Sequence, residues 1–150
     1  MNYWLMKVEP DTYSIDDLAR DGVYAWDGVR NYQARNFMRD AMRVGDKVLF
    51  YASNAKPSGV VGLAKIASVP RADPTQFDQS SHYFDQKATT EKPRWVLVDV
   101  AFVKKFAPPV TLAEIKLDPT LAGMLLVRPG QRLSIQSVTK KHYEHIVQLA

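Results

Sequence analysis

The sequence predicts an α+β protein, a partly closed β-barrel of five or six strands with flanking helices, built as one domain over residues 1–150. Three observations lead there. Short apolar runs of strand character recur along the chain, with helix signals between them. They lack the regular strand–helix–strand alternation of a doubly wound sheet, which leaves a curled sheet with peripheral helices. A chain of 150 residues, 46% hydrophobic and 24% charged, can bury one core without staples.

The elements follow in order. YWLMKV (3–8) reads as a strand that stops at Glu9-Pro10. SIDDLAR (14–20) opens a helix, with Ser14 three residues before Asp17 in the manner of a capping box. Ala34, Phe37, Met38, Ala41 and Met42 recur at the spacing of a buried helix stripe, and Val44-Gly45 is its expected C-terminal cap. KVLFYA (47–52) and VVGLAKIASV (60–69) read as strands joined by a loop at Pro57 and Gly59. Residues 70–93, rich in Pro, Asp, Gln and Ser, are too long for a hairpin connection. RWVLVDVAFV (94–103) is the most strand-like run, TLAEIKL (111–117) a short helix, and LSIQSV (133–138) another strand. KKHYEHIVQL closes the chain as a helix behind Thr139 as N-cap.

Composition excludes several function classes. Without cysteine there is no disulfide, thiol nucleophile or Cys-based metal site. The longest apolar runs, such as VLFYA (48–52), fall far short of the ~18 residues of a membrane span, so no membrane partner is expected. The first residues lack the basic and long apolar regions of a signal peptide and read as the start of a folded domain. A cytoplasmic location is expected, or a nuclear one in a eukaryotic cell. The balance of 20 Lys and Arg against 16 Asp and Glu gives a net charge of +4, which leans toward a polyanionic partner.

No motif for catalysis emerges. GVVGLA (59–64) lacks the spacing and the Lys of a phosphate loop, and no G-x-S-x-G elbow occurs. His142 and His145 stand at i and i+3 but lack a third ligand, so neither a metal nor a cofactor is expected. His82 sits in the long loop near Asp78 and Asp85, a common arrangement.

The positive signals describe a binding surface. Tyr32, Arg35, Arg39 and Arg43 fall opposite the apolar stripe, and Arg30 stands in the turn before them. They read as a solvated helix face or as a track for phosphates. Trp26, beside a Gly turn, offers a stacking platform or packs into the core. Ser53 and Asn54 follow a strand end and serve a ligand edge or their own turn. Tyr83 and Phe84 either anchor the long loop or wall a pocket. Trp95 reads as core.

YWLMKVEP, WDGVRNYQARN, VLFYASN, DPTQFD, PRWVLVDV and LSIQSVT together resemble the EVE domain family over nearly the whole chain, WDGVRNYQARN being the most specific. The resemblance implies a PUA-like fold related to the YTH readers of methylated adenine in RNA. It also implies a pocket that holds a modified base without chemistry. The resemblance implies Trp26, Ser53, Asn54, Tyr83 and Phe84 as pocket residues; the candidate base pocket adds Asp27 and Asn31, and Arg30, Arg35 and Arg39 of the helix face and its turn are the candidate phosphate contacts. Val8, Ala52 and Phe84-Asp85-Gln86 depart from the family pattern, which often has Ser, His and Tyr-Asp-Pro there. The expected function is thus a non-catalytic nucleic-acid-binding module for a modified base in RNA or DNA. Two alternatives stay open: a small enzyme on a modified base or nucleotide, whose mark would be an acid–base pair such as Asp27 with His82, and a protein-interaction module facing an acidic partner.

Overall fold

The computed structural model describes residues 1–150. Its chain runs through β1 (Tyr3–Val8), α1 (Ile15–Asp21), β2 (Val23–Ala25), α2 (Tyr32–Asn36), β3 (Lys47–Ala52) and β4 (Gly59–Ile66). Then come β5 (Arg71–Ala72), β6 (Val96–Leu97), β7 (Asp99–Thr111), α3 (Leu112–Leu117), β8 (Ile135–Val138) and α4 (Lys140–Leu149). Six strands form one mixed sheet in the order β2-β7-β4-β3-β1-β8, and β5 pairs with β6 in a small second sheet. The edge strands β2 and β8 do not pair with each other, so the barrel stays partly open. Six strands and four α-helices agree with the expected fold class. No helix is long and apolar enough to cross a membrane.

Alternation along the strands gives the sheet two buried faces. Trp4 and Met6 of β1 and Val48 and Phe50 of β3 face one cluster, together with Ile15, Leu18, Ala34, Met38 and Met42 from the α1 and α2 side. Leu5, Leu49 and Tyr51 face the other, with Ile115 of α3 and Tyr143 and Ile146 of α4. Along β7, Val100 and Phe102 face the first cluster while Phe106 and Val110 face the second. Residues of the same parity share a face in a regular strand, so β7 must switch faces. It does so where its pairing with β4 is irregular. Gly62 lies in that region, and a Cβ there would come within 2.4 Å of the Lys104 carbonyl oxygen.

Local signals acted as their chemistry requires. Ser14 and Asp17 close both bonds of the capping box, and Thr111 and Thr139 accept from the third residue of their helices.

Several boundaries differ from the sequence expectation, β4 among them, which ends at Ile66. The helix begun by α2 continues as a π turn, Phe37–Ala41, and stops at Met42, whose N–H donates to the Phe37 carbonyl at 2.8 Å. Asp46 forces the early exit: its buried carboxylate accepts from the Arg43 and Asn2 amides at 2.9 and 3.1 Å and from the Trp4 indole at 3.0 Å. Gly45, with φ 93°, turns the chain into β3 instead of capping a helix. The run 94–103 is broken at Val98, because Val96–Leu97 pairs with β5 whereas β7 joins the main sheet. β7 also extends through Pro108 and Pro109, which fall where it has no partner on β4, so their missing N–H groups cost nothing. Strand β8 begins at Ile135, two residues later than expected.

The topology fixes where a site can form. β1 and β3 run parallel, with Val8 opposite Ala52, so both end at the same rim. β8 runs antiparallel to β1 and begins there. Glu9, Ser53, Asn54 and the residues preceding β8 therefore meet at one open end.

Candidate functional site

A cavity of about 850 Å³ occupies that end, within the size range of small-ligand sites. Lys7, Val8, Glu9 and Thr12 come from the end of β1, and Tyr24, Trp26, Asp27, Gly28 and Arg30 from β2 and the turn after it. Ser53 and Asn54 follow β3, His82 and Tyr83 come from the long loop, and Gln131, Arg132 and Ser134 precede β8.

The turn after β2 is shaped by its glycine. Gly28 has φ 76°, and a Cβ there would lie 2.6–2.9 Å from three ring atoms of Tyr83. Only glycine accepts both the left-handed backbone and the aromatic ring laid on it. Trp26 is 4% exposed and packs edge-to-face against Tyr24 and Phe50, at 5.7 Å in each case. It is therefore core and cavity wall together. Tyr24 is fixed by stacking on Tyr13 at 3.7 Å and by donating from its hydroxyl to Asp27 Oδ1 at 3.3 Å. Burial and the neighbouring Asp27 push the Tyr24 hydroxyl up, while burial with Asp21 pushes Tyr13 up to about 12. Asn54 holds a left-handed φ of 51° and donates from Nδ2 to Glu9 at 2.7 Å.

One ion pair seats the long loop. Asp73, with no exposed surface, accepts from Gly28 N at 2.9 Å, Thr75 N at 2.8 Å and Arg30 Nη1 at 3.1 Å. Arg30 Nη1 also donates to the Val29 carbonyl at 2.9 Å, Nη2 to Thr75 Oγ1 at 3.0 Å and to the Tyr83 carbonyl at 2.7 Å, and Nε to that same carbonyl at 3.1 Å. All five guanidinium donors are thereby used within the protein. Gln76, also fully buried, clamps the loop's other end through the Trp95 backbone: its amide donates to the carbonyl at 2.8 Å and accepts from the N–H at 2.9 Å. Burial alone would raise the Asp73 carboxyl. The bonds from Thr75, Gly28 and Arg30 outweigh it and hold the group below its ordinary value.

Asp27 has the opposite balance. Burial, and next the Asp73 charge, raise its carboxyl above the ordinary 3.8, against smaller opposing contributions from Tyr24, its own backbone and Arg30. Asp27 is thus a half-buried carboxylate, reluctant to ionise, on the wall of the cavity.

The structure thus brings Trp26, Asp27, Ser53, Asn54 and Tyr83 together around one cavity and leaves other expected residues outside it. Asn31 is not a pocket residue but the N-cap of α2, its Oδ1 accepting from Ala34 N at 3.0 Å. Phe84 is 37% exposed and does not line the cavity. Arg30 lines it, but as the clamp of the wall, with no donor to spare for phosphate. Arg35 donates to the Arg94 carbonyl at 2.9 Å, and Arg39 pairs with Asp40 at 2.9 Å on an exposed face. Of the family departures, Val8 lines the cavity, whereas Ala52 is buried beside it. Asp27 and His82 both reach the cavity, yet Asp27's partner is Tyr24 and no hydrogen bond joins it to His82. His145 is engaged by Asp118 at 2.7 Å. Sequence reading missed Lys7, Glu9, Thr12, Tyr24, Gln131, Arg132 and Ser134. The parallel pairing of β1 with β3 brings the first of these to the site, and no local pattern announces it.

The family model of the EVE domain matches residues 2–149. The chain belongs to the EVE domain family. Thymocyte nuclear protein 1 of Mus musculus is 39% identical over 99% of the chain and 73% of its own length. A crystal structure of a Pseudomonas putida protein shares 50% identity at a TM-score of 0.94, with 98% of each chain covered. Human THYN1 protein, solved in complex with 5-methylcytosine containing DNA, is 38% identical at a TM-score of 0.91, covering 99% of this chain and 97% of its own. The curled six-stranded sheet is thus the PUA-like fold of the EVE domain.

Two outcomes follow from the electrostatics of this EVE site. Asp73→Ala leaves the Arg30 guanidinium without its carboxylate partner and the Gly28 amide without its acceptor, and denaturant unfolding should show a loss of about 3–5 kcal/mol. Asp27→Asn should do the reverse. The folded state binds the Asp27 proton more tightly than the unfolded state does, so ionisation costs stability. That cost is absent below the ordinary 3.8 and grows as pH rises through the raised value. Thermal melts should place the variant above wild type at neutral pH and level with it in acid. A wild type that is the more stable at neutral pH would contradict this assignment.

Proposed function

We propose that this chain reads a modified cytosine in DNA, holding the base in the cavity without transforming it. The observation that carries the reading is an aromatic and carboxylate-lined cavity in a chain that aligns over its whole length with a protein solved on 5-methylcytosine containing DNA. Tyr83 and Trp26 offer aromatic surface, and a base stacked on an aromatic ring gains ~1–3 kcal/mol. Cytosine presents an amino donor, for which a carboxylate is the fitting acceptor. Asp27 supplies one: Oδ1 takes the Tyr24 hydroxyl, and no other side chain donates to the carboxylate. Ser53 and Asn54 face the remaining edge. Burying a methyl-sized group adds ~0.8 kcal/mol, roughly a fourfold preference, for which Val8 and Trp26 provide apolar contact. Extruding a base from a duplex costs a few kcal/mol, so single strands and weakened pairs are the favoured substrates. Arg35 and Arg39 lie outside the cavity, where the flanking phosphates would run. The place of action is wherever such DNA lies, the nucleus of a eukaryotic cell or the cytoplasm of a bacterial one.

Anisotropy titrations with matched single-stranded oligonucleotides, plain and 5-methylated, test the reading, with an RNA arm alongside. The methylated DNA should bind about fourfold or more tightly than the plain. Asp27→Asn should lose about tenfold on both, the scale of a hydrogen bond to a charged group. Arg35→Ala and Arg39→Ala should each flatten the log–log salt slope by about 0.7. Chromatography should return the base unchanged. Equal affinity for plain and methylated strands, together with an indifferent Asp27→Asn, would remove the pocket reading, and turnover of the methyl group would make the protein an enzyme.

A further inference from the structure

An aromatic and cationic column leads from the cavity wall to the surface. Tyr83 lies against Gly28 in the wall. The Arg30 guanidinium stands 5.5 Å from the Tyr83 ring and 5.4 Å from that of Trp95. Trp95 in turn stacks on Tyr32 at 4.8 Å with 23° between the planes. Trp95 is buried, with its indole N–H on Asp85 at 2.8 Å, but Tyr32 is 45% exposed. The column therefore ends in an open ring.

Two cations flank that ring, which keeps 45% of its surface exposed. The Arg35 guanidinium is 4.7 Å from the Tyr32 centroid and 5.9 Å from that of Trp95. Arg35 thus lies close to both rings of the stack at once. Arg94 approaches the other rim, donating to the Tyr32 hydroxyl, with its guanidinium 5.8 Å from the centroid. Its nearest carboxylate, Asp85, is 3.8 Å away, and Arg35 has only the neutral acceptors Asn36 Oδ1 and the Arg94 carbonyl. Unlike Arg30, both retain N–H groups for a ligand. Tyr32 is held from beneath by Trp95 and at its hydroxyl by Arg94, so little side-chain freedom remains to be lost on binding.

We propose that Tyr32 is a second stacking platform, taking a base of the single-stranded nucleic acid that flanks the cavity, with Arg35 and Arg94 on the adjoining phosphates. A flat aromatic face between two cations matches a nucleotide, which joins a planar base to an anion. The inference builds on the nucleic-acid reading of the cavity, and its test separates the two.

The test compares wild type, Tyr32→Phe and Tyr32→Ala, each checked for fold by circular dichroism. One arm uses single-stranded DNA of graded length, plain and 5-methylated, and the other uses free 5-methyl-2′-deoxycytidine followed by NMR titration. Tyr32→Ala should weaken oligonucleotide binding by about 5- to 150-fold whether or not the strand is methylated, the range for one stacked base. Nucleoside binding should stay unchanged, and Tyr32→Phe, which keeps the ring, should stay close to wild type. Oligonucleotide affinity unaffected in Tyr32→Ala overturns the proposal, as does a parallel loss of nucleoside binding, which would show that the ring acts through the cavity. A wild type that binds the nucleoside but gains nothing from a longer strand overturns the platform alone. Absence of nucleoside binding, with oligonucleotide affinity still lost in Tyr32→Ala, supports the platform and contradicts the cavity reading.

Discussion

The pair Arg30–Asp73 is the constraint on which the site depends. It joins the turn after β2 to the start of the long loop, two segments 43 positions apart in sequence. Neither segment has regular structure enough to hold itself in place. A buried carboxylate is costly unless its lone pairs are filled, and Asp73 fills them with backbone and side-chain donors from both segments. Arg30 then reaches the Tyr83 carbonyl, and so sets the Tyr83 ring on Gly28. The wall of the cavity, the conformation of the turn and the inner end of the aromatic column are consequences of one ion pair.

The same pair sets the electrostatics within. Asp73 is kept ionised by its donors, and its charge, added to burial, makes Asp27 reluctant to ionise. Two neighbouring carboxylates from different segments are thus pushed in opposite directions: Asp73 serves structure, and Asp27 is left at the cavity with Tyr24 as its one side-chain donor. An acceptor that water solvates poorly gains more from an amino group of a bound base than an exposed one would.

Much of the fold was legible because its signals are local. Ser14, Thr111 and Thr139 announce helix starts by bonds spanning three residues, and the strands β1, β3 and β4 show themselves as apolar runs. What was misread depended on distant partners. The helix after Tyr32 ends early because Asp46 draws in Asn2, Trp4 and Arg43. The run 94–103 breaks because its first part pairs with β5 and the rest with the main sheet. For the site, the family motif pointed to Trp26, Asp27, Ser53, Asn54 and Tyr83, which the fold gathers. It could not separate them from Asn31 and Arg30, whose side chains are spent on a helix cap and a loop clamp. Lys7, Gln131 and Arg132 lie at opposite ends of the chain, and only the β1–β8 pairing makes them neighbours.

The most direct measurement is a structure of this protein bound to a single-stranded oligonucleotide carrying one 5-methylcytosine. The methylated base should lie inside the cavity, its plane against Tyr83 or Trp26 and its amino group toward the Asp27 carboxylate, with Arg30 still locked on Asp73. A base seated elsewhere on the surface, with the cavity empty, would contradict the cavity reading.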